Sequence, residues 1–471
     1  MSAQRATRTR GQLVATIAVV AAVVAGGVYV EGAGPATAPE PVAAVGRPSG
    51  AWFCPHGGGR GWEVTLELAN PGTDPVDVRV TRLSGRRPAR GDLLSVPPGS
   101  QVQVPLRASH RGSGSMVEFF DGWVAAGWVA HAGGTEAGVA AEPCVDQAAR
   151  RWYLPDGVTL RDDDAWVIVM NPFASPAVVS LSYLTTGRGE ITTADLTNVP
   201  IGPYRVRAFH VNADAEGEPA VGTLVDVPGG RVAVASLGLS KDGGARSSVG
   251  QIDAPGRAIL PAAADQGRSD VLVMNPRDDD ADVAGSVLDR ESSQALQIVL
   301  NAIVEAPPEA RSAAAFSLTT QGPATLDLTL PEGTAAARRT FGVASDQGST
   351  VAAAGPHPAW VLLPAVAGRP SKPGLVLANP GEEPAKVTLS FLTAGIEPAP
   401  APIQVSVPAG RSVSTPRDFL ALKPRSAVLA VASSGTFVPA FASYSLGREG
   451  VAAFAVSLGV PVPAAWVPTQ P

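Results

Sequence analysis

The residues best placed for covalent chemistry are two cysteines, Cys54 and Cys144. Two unrelated thiols would be unusual in an exported domain, so an even count there points to a disulfide. On the chain-entropy account its long loop would contribute roughly 4–5 kcal/mol. A metal site would need more: there is no second Cys pair, and His56 beside Cys54 is a single extra ligand. The five His (His56, His110, His131, His210, His357) are scattered, none at i, i+4 with a carboxylate partner. G-x-S-x-G, H-E-x-x-H and G-K-[ST] do not occur. No enzyme and no cofactor is expected, although a hydrolase assembled only in the fold would leave no such signature.

Three further motifs have binding and bland readings. "RDDD" occurs at 161–164 and 277–280. Calcium needs six to eight oxygens, usually from a spaced D-x-D-x-D-G loop, and that spacing is missing. Solvated loop charge is the better reading. "CPHGGGRGW" (54–62) could cradle phosphate only between a strand and a helix, but a strand follows it, so a flexible loop is expected. Trp52, Trp152 and Trp360 open repeating segments and read as core anchors. Trp123 and Trp128 lie in "DGWVAAGWVAH", which has no counterpart elsewhere, and are the candidates for glycan or protein contact. Core packing is the competing role.

These residues must be held by a repeated framework. Asn-Pro occurs at 70–71, 171–172, 275–276 and 379–380, a period close to 104 residues. Each pair follows a short apolar run: "VTLELANP", "WVIVMNP", "VLVMNP", "GLVLANP". A Leu lies thirteen residues after each Asn (Leu83, Leu184, Leu288, Leu392). The chain is a fourfold array. The apolar runs are too short for typical helices, and Asn-Pro ends them as strands. The next run alternates: Val387, Leu389 and Phe391 share one face, as do Val179, Leu181 and Tyr183. A turn with Pro and Gly follows in units one, two and four ("VPPG", "VPIG", "VPAG"); unit three lacks the Gly. "SSQALQIVLNAIVEA" (292–306) has helical spacing but is assigned here to strand and loop.

The expected fold is all-β. Four tandem immunoglobulin-like β-sandwiches would occupy 51–149, 150–256, 257–358 and 359–471. A closed, propeller-like ring of four sheets is the alternative. Separate beads are preferred, because the unit is about twice a usual blade.

Composition places this array outside the cell. Of 471 residues, 45% are hydrophobic and only 17% charged; the net charge is −6, which leaves no broad basic footprint for nucleic acid. Residues 1–10 carry Arg5, Arg8 and Arg10, and residues 11–30 carry no charge. Twenty helical residues span about 30 Å, enough for a bilayer core. Residues 11–30 are therefore expected to anchor the chain in the membrane with 1–10 in the cytoplasm. A cleaved signal peptide is the alternative. Residues 31–50, interrupted by four Pro, read as a tether.

An N-terminal anchor followed by W-x-x-P, h-h-x-NP-G, V-x-L-x-x-L and V-P-x-G units resembles a secreted or membrane-anchored family of unknown function found in actinobacteria. The resemblance covers nearly the whole chain and implies no catalytic residues. Unit three departs from it with Ala258 in place of Trp. The expected function is a non-enzymatic envelope protein, membrane-tethered, serving as spacer and docking surface. The alternative is a cell-wall glycan-binding module using Trp123 and Trp128.

Overall fold

The four Asn-Pro pairs occupy one equivalent position in four copies of one sandwich. The computed structural model describes residues 50–467 except 134–136, 242–243, 253, 255, 262–266, 290–293, 321–323, 343–345, 354, 365–370, 394–398, 424 and 447–451. The expected membrane segment 11–30 and residues 31–49 of the tether lie outside the described residues, and Gly50 already belongs to strand Gly50–Cys54. No described helix is long and apolar enough to cross a membrane.

The second unit shows the plan. One antiparallel sheet runs Arg205–His210, Asp163–Asn171, Ala233–Ser240, Gly244–Val249. The other runs Gly189–Ile191, Ala177–Thr185, Val221–Gly229, Arg151–Leu154, with Val199–Ile201 also paired to Ala177–Thr185. In the other units, too, the Asn-Pro strand (Glu63–Asn70, Gly267–Asn275, Ser371–Asn379) is central in the first sheet. The alternating strand after it lies in the second. The expected inward faces are buried: Val179, Leu181, Tyr183, Val387, Leu389 and Phe391 all pack in cores. The fold is all-β and sandwich-like, as the periodicity requires.

The Asn explains the repeat. All four are buried, and each side chain staples the same turn. The Nδ2 group of Asn70 donates to the carbonyls of Asp74 (2.8 Å) and Val96 (3.0 Å), and its Oδ1 accepts from the Gly72 amide (2.9 Å). Asn171, Asn275 and Asn379 repeat the pattern with Ser175, Asp279 and Glu383 four residues on, and with Ile201, Pro308 and Val407 across the sandwich. Three residues beyond each carbonyl across the sandwich stands a left-handed residue: Gly99, Tyr204, Arg311 and Gly410, with φ between 53° and 62°. Its amide bonds the carbonyl of Gly72, Phe173, Arg277 or Gly381 at 3.0–3.1 Å. The "VPIG" of unit two is thus two residues out of register with its counterparts, and unit three dispenses with Gly by using Arg311.

One assignment is corrected. Residues Gln294–Glu305 are an α-helix, not strand and loop. Val299, Leu300 and Ile303 form its buried stripe, spaced as 3.6-residue periodicity demands, and no Gly or Pro interrupts it until Pro307.

The expectation of separate beads is also corrected. All described residues belong to one compact unit. The last strands of the four sandwiches (Gly138–Pro143, Gly244–Val249, Gln347–Val351, Ala452–Leu458) touch in cyclic order, the fourth returning to the first. At Gly138 a Cβ would fall 2.2 Å from the Ala245 amide nitrogen, so only glycine permits this approach. Each seam has its own bonds. Ser84 pairs with Arg205 between units one and two. Gln251 Nε2 donates to Ala336 O (2.8 Å) between two and three. Ser412 Oγ donates to Leu288 O (2.9 Å) between three and four. The Ala427 amide donates to Gln101 Oε1 (2.6 Å) between four and one. Each member has two sheets, so the ring is not a propeller of single-sheet blades.

Candidate functional site

Three unit-opening Trp build the wall of one pocket. Trp52 donates its indole N–H to Val124 O (2.7 Å), Trp152 to Val232 O (2.8 Å) and Trp360 to Phe437 O (2.8 Å). The acceptors lie in equivalent segments, so these are the core anchors their repetition implies. In unit three the position is Ala258, which makes no such bond. After its axial strand each unit crosses to its own opening strand: Val145 pairs with Phe53, Gln251 with Tyr153, Ala353 with Ile259, Val460 with Val361. The residue before each partner must pass close to the wall. Gly250 does so in unit two, where a Cβ would meet the Trp152 ring at 2.6 Å. In unit one that residue is Cys144, bonded to Cys54. The expected disulfide is therefore formed, and it clamps the crossing to the opening strand.

The four crossings, at 143–147, 249–252, 351–353 and 458–463, enclose an open pocket of about 350 Å³ at one end of the ring axis. Trp52, Trp123, Trp152 and Trp360 all line it, half of the chain's eight Trp. Trp52 and Trp123 meet edge to face with centroids 6.2 Å apart. The polar lining comes from Asp146, Gln147, Gln251, Arg257 and His357. Arg257 is already neutralised by a bidentate pair with Asp327 (2.8 and 2.6 Å). Pockets of this size with an apolar wall and few polar groups are where small ligands or single protruding groups bind.

Deeper between the units lie buried charges. Asp156 bonds Arg339 across 183 residues and lies 3.6 Å from Arg246, whose Nη1 donates to Gln347 Oε1 at 2.8 Å. Burial alone would raise the Asp156 carboxyl, but Arg339 and Arg246 outweigh it and hold the group below its ordinary value. Burial pushes Glu142 well above the carboxylate range, and Asp156 adds to the effect. Glu67 is raised to about 8 by burial, against hydrogen bonds from Gln101 and Gln103 and the charge of Arg425. His56 is lowered to about 4 by burial. Its Nδ1 faces the Gly57 carbonyl at 2.7 Å and must donate, so Nε2 accepts from Ser115 Oγ at 3.1 Å.

The candidates from sequence separate here. Trp123 lines the pocket. Trp128 is 1% exposed, packs edge to face on His56 and presents no platform to solvent. The second "RDDD" is the solvated loop charge expected, with the Asp278 side chain 87% exposed, whereas the first is partly buried. Asp164 bonds His210 and Trp166, and Asp278 bonds Arg311. Among the described residues no group of three His, Cys, Asp or Glu gathers to hold a metal. "CPHGGGRGW" is a packed loop, not a flexible one: at Gly58 a Cβ would lie 2.3 Å from Ala108 O, and the Gly59 amide donates to that oxygen at 3.0 Å. Sequence reasoning missed Asp146, Gln147, Gln251, Arg257 and His357. They share no motif and meet only because the ring closes.

Fold and pocket define a repeat protein of four cyclically packed β-sandwiches with an aromatic hub. Residues 114–354 match the family of unknown function DUF5719, and the chain belongs to that family. No curated protein matches it.

Proposed function

We propose that the chain is a non-enzymatic docking module of the cell envelope, in an actinobacterial type of cell. Residues 11–30 would hold it in the membrane, with the ring outside. The Arg-flanked apolar segment and the Cys54–Cys144 disulfide support that side of the membrane. The observation that carries docking is the hub. Four units converge to build one pocket walled by Trp52, Trp123, Trp152 and Trp360. A glycan-binding reading is favoured by the same wall, since Trp123 stands in it.

A photo-cross-linker in place of His357, at the exposed rim, tests the reading in intact cells. One envelope component should be captured there and not from Leu422, which is 59% exposed and away from the pocket lining. Equal labelling from both positions would remove the case for a hub-centred docking module.

A further inference from the structure

We propose that the hub pocket holds a single neutral sugar residue of an envelope polymer; the inference rests on the docking reading above. The argument is the chemistry of the lining. Three wall indoles have spent their N–H groups on backbone carbonyls. The wall is therefore mainly carbon, with the indoles 0–5% exposed beside Val249, Ile252, Val351 and Leu458, and it suits the C–H groups of a pyranose. The polar groups are a carboxylate, two carboxamides, a guanidinium and an imidazole. All are planar, and together they supply donors and acceptors, which vicinal hydroxyls need.

The competing ligands fit less well. An acyl chain would desolvate Asp146, Gln147 and His357 and return no hydrogen bond. A phosphate would meet one guanidinium that Asp327 already neutralises. An ammonium would find Asp146 as the one carboxylate among the described lining residues. A volume of about 350 Å³ falls at the small end of ligand pockets, which fits one ring and not a chain of them.

The test is isothermal titration of the full-length, detergent-solubilised protein with neutral hexoses, N-acetylated hexoses and their disaccharides. Inorganic phosphate and an amino sugar serve as charged controls. Two variants accompany the wild type. Gly355 lines the pocket and a Cβ there meets nothing within 4 Å, so Gly355→Trp adds bulk without a core clash. Gln147→Ala removes one planar group at the exposed rim. Saturable binding of a neutral sugar is expected, abolished in Gly355→Trp and weakened about fivefold or more in Gln147→Ala, with melting temperatures unchanged. No saturable binding across the panel, tighter binding of either charged control, or binding indifferent to both variants would overturn the proposal. The cross-link from His357 separates the two claims. A specific protein captured there with no sugar bound would leave docking standing and the sugar proposal refuted. Capture of nothing would refute both.

Discussion

At the residue scale, one buried amide does the same work four times. Asn379 bonds Glu383 O, Val407 O and the Gly381 amide, so Asn379→Ala strands three backbone groups. At roughly 1 kcal/mol per bond the loss should be about 2–4 kcal/mol, read from chemical denaturation. A loss below 1 kcal/mol would mean that water replaces the staple. The left-handed residue beside it gives a cleaner case. Gly410 has φ +62° and open space at its Cβ position, so Gly410→Ala is purely conformational and should cost about 1–2 kcal/mol. Glu67 adds a pH dependence. Its folded value of about 8 lies above the ordinary 4.5, so the folded state binds the extra proton. That contribution is fully present below 4.5 and is lost as pH rises through 8. His56 runs the other way, losing stability as pH falls from 6.5 towards 4. Between 6.5 and 8 only Glu67 of this pair acts, and stability should fall by up to about 1.4 kcal/mol per pH unit. In Glu67→Gln that slope should flatten, whatever the variant's absolute stability. An unchanged slope would assign it elsewhere.

At the element scale, legibility followed the range of the signal. Strand alternation is local, and Val387, Leu389 and Phe391 fell where period two puts them. In the other units strands follow the alternating run, so the repeat is no guide to helix Gln294–Glu305. Its own spacing, with Val299, Leu300 and Ile303 on one stripe, was the better guide. The "VPxG" turn misled for the converse reason. The left-handed position is filled by Tyr204 and Arg311 in two units, so the Gly of "VPIG" marked a neighbouring residue. Arg311 forms ion pairs there with Asp278 (2.7 Å) and Glu190 (3.4 Å). The hub was not legible at all. Its lining comes from four segments about a hundred residues apart, holding Cys144, Gly250, Ala352 and Gly459 at equivalent places. Small or bonded residues there leave room for the wall, but no local rule reveals it. The disulfide at this level should matter thermodynamically: Cys54→Ser with Cys144→Ser frees a loop of separation 90 and should cost about 4–5 kcal/mol on the chain-entropy account. A calorimetric comparison of the two forms measures it.

At the scale of the whole molecule, closure changes what a unit is. Tandem beads unfold independently, whereas a ring whose last member bonds the first shares every seam. The most sensitive probe is the buried ion network between units two and three. Asp156→Asn leaves Arg339 and Arg246 in the interior without their central carboxylate, and breaking such a pair costs about 3–5 kcal/mol. In a string of beads only units two and three would respond. In the ring the axial strands touch cyclically, so loosening one seam relaxes the contact of Gly138–Pro143 with both neighbours. Amide exchange in Asp156→Asn should therefore rise in the axial strands of units one and four as well. Protection unchanged in Gly138–Pro143 and Ala452–Leu458 would show that the seams act separately. A hub built at the junction of all four units would then lack the shared rigidity that docking requires.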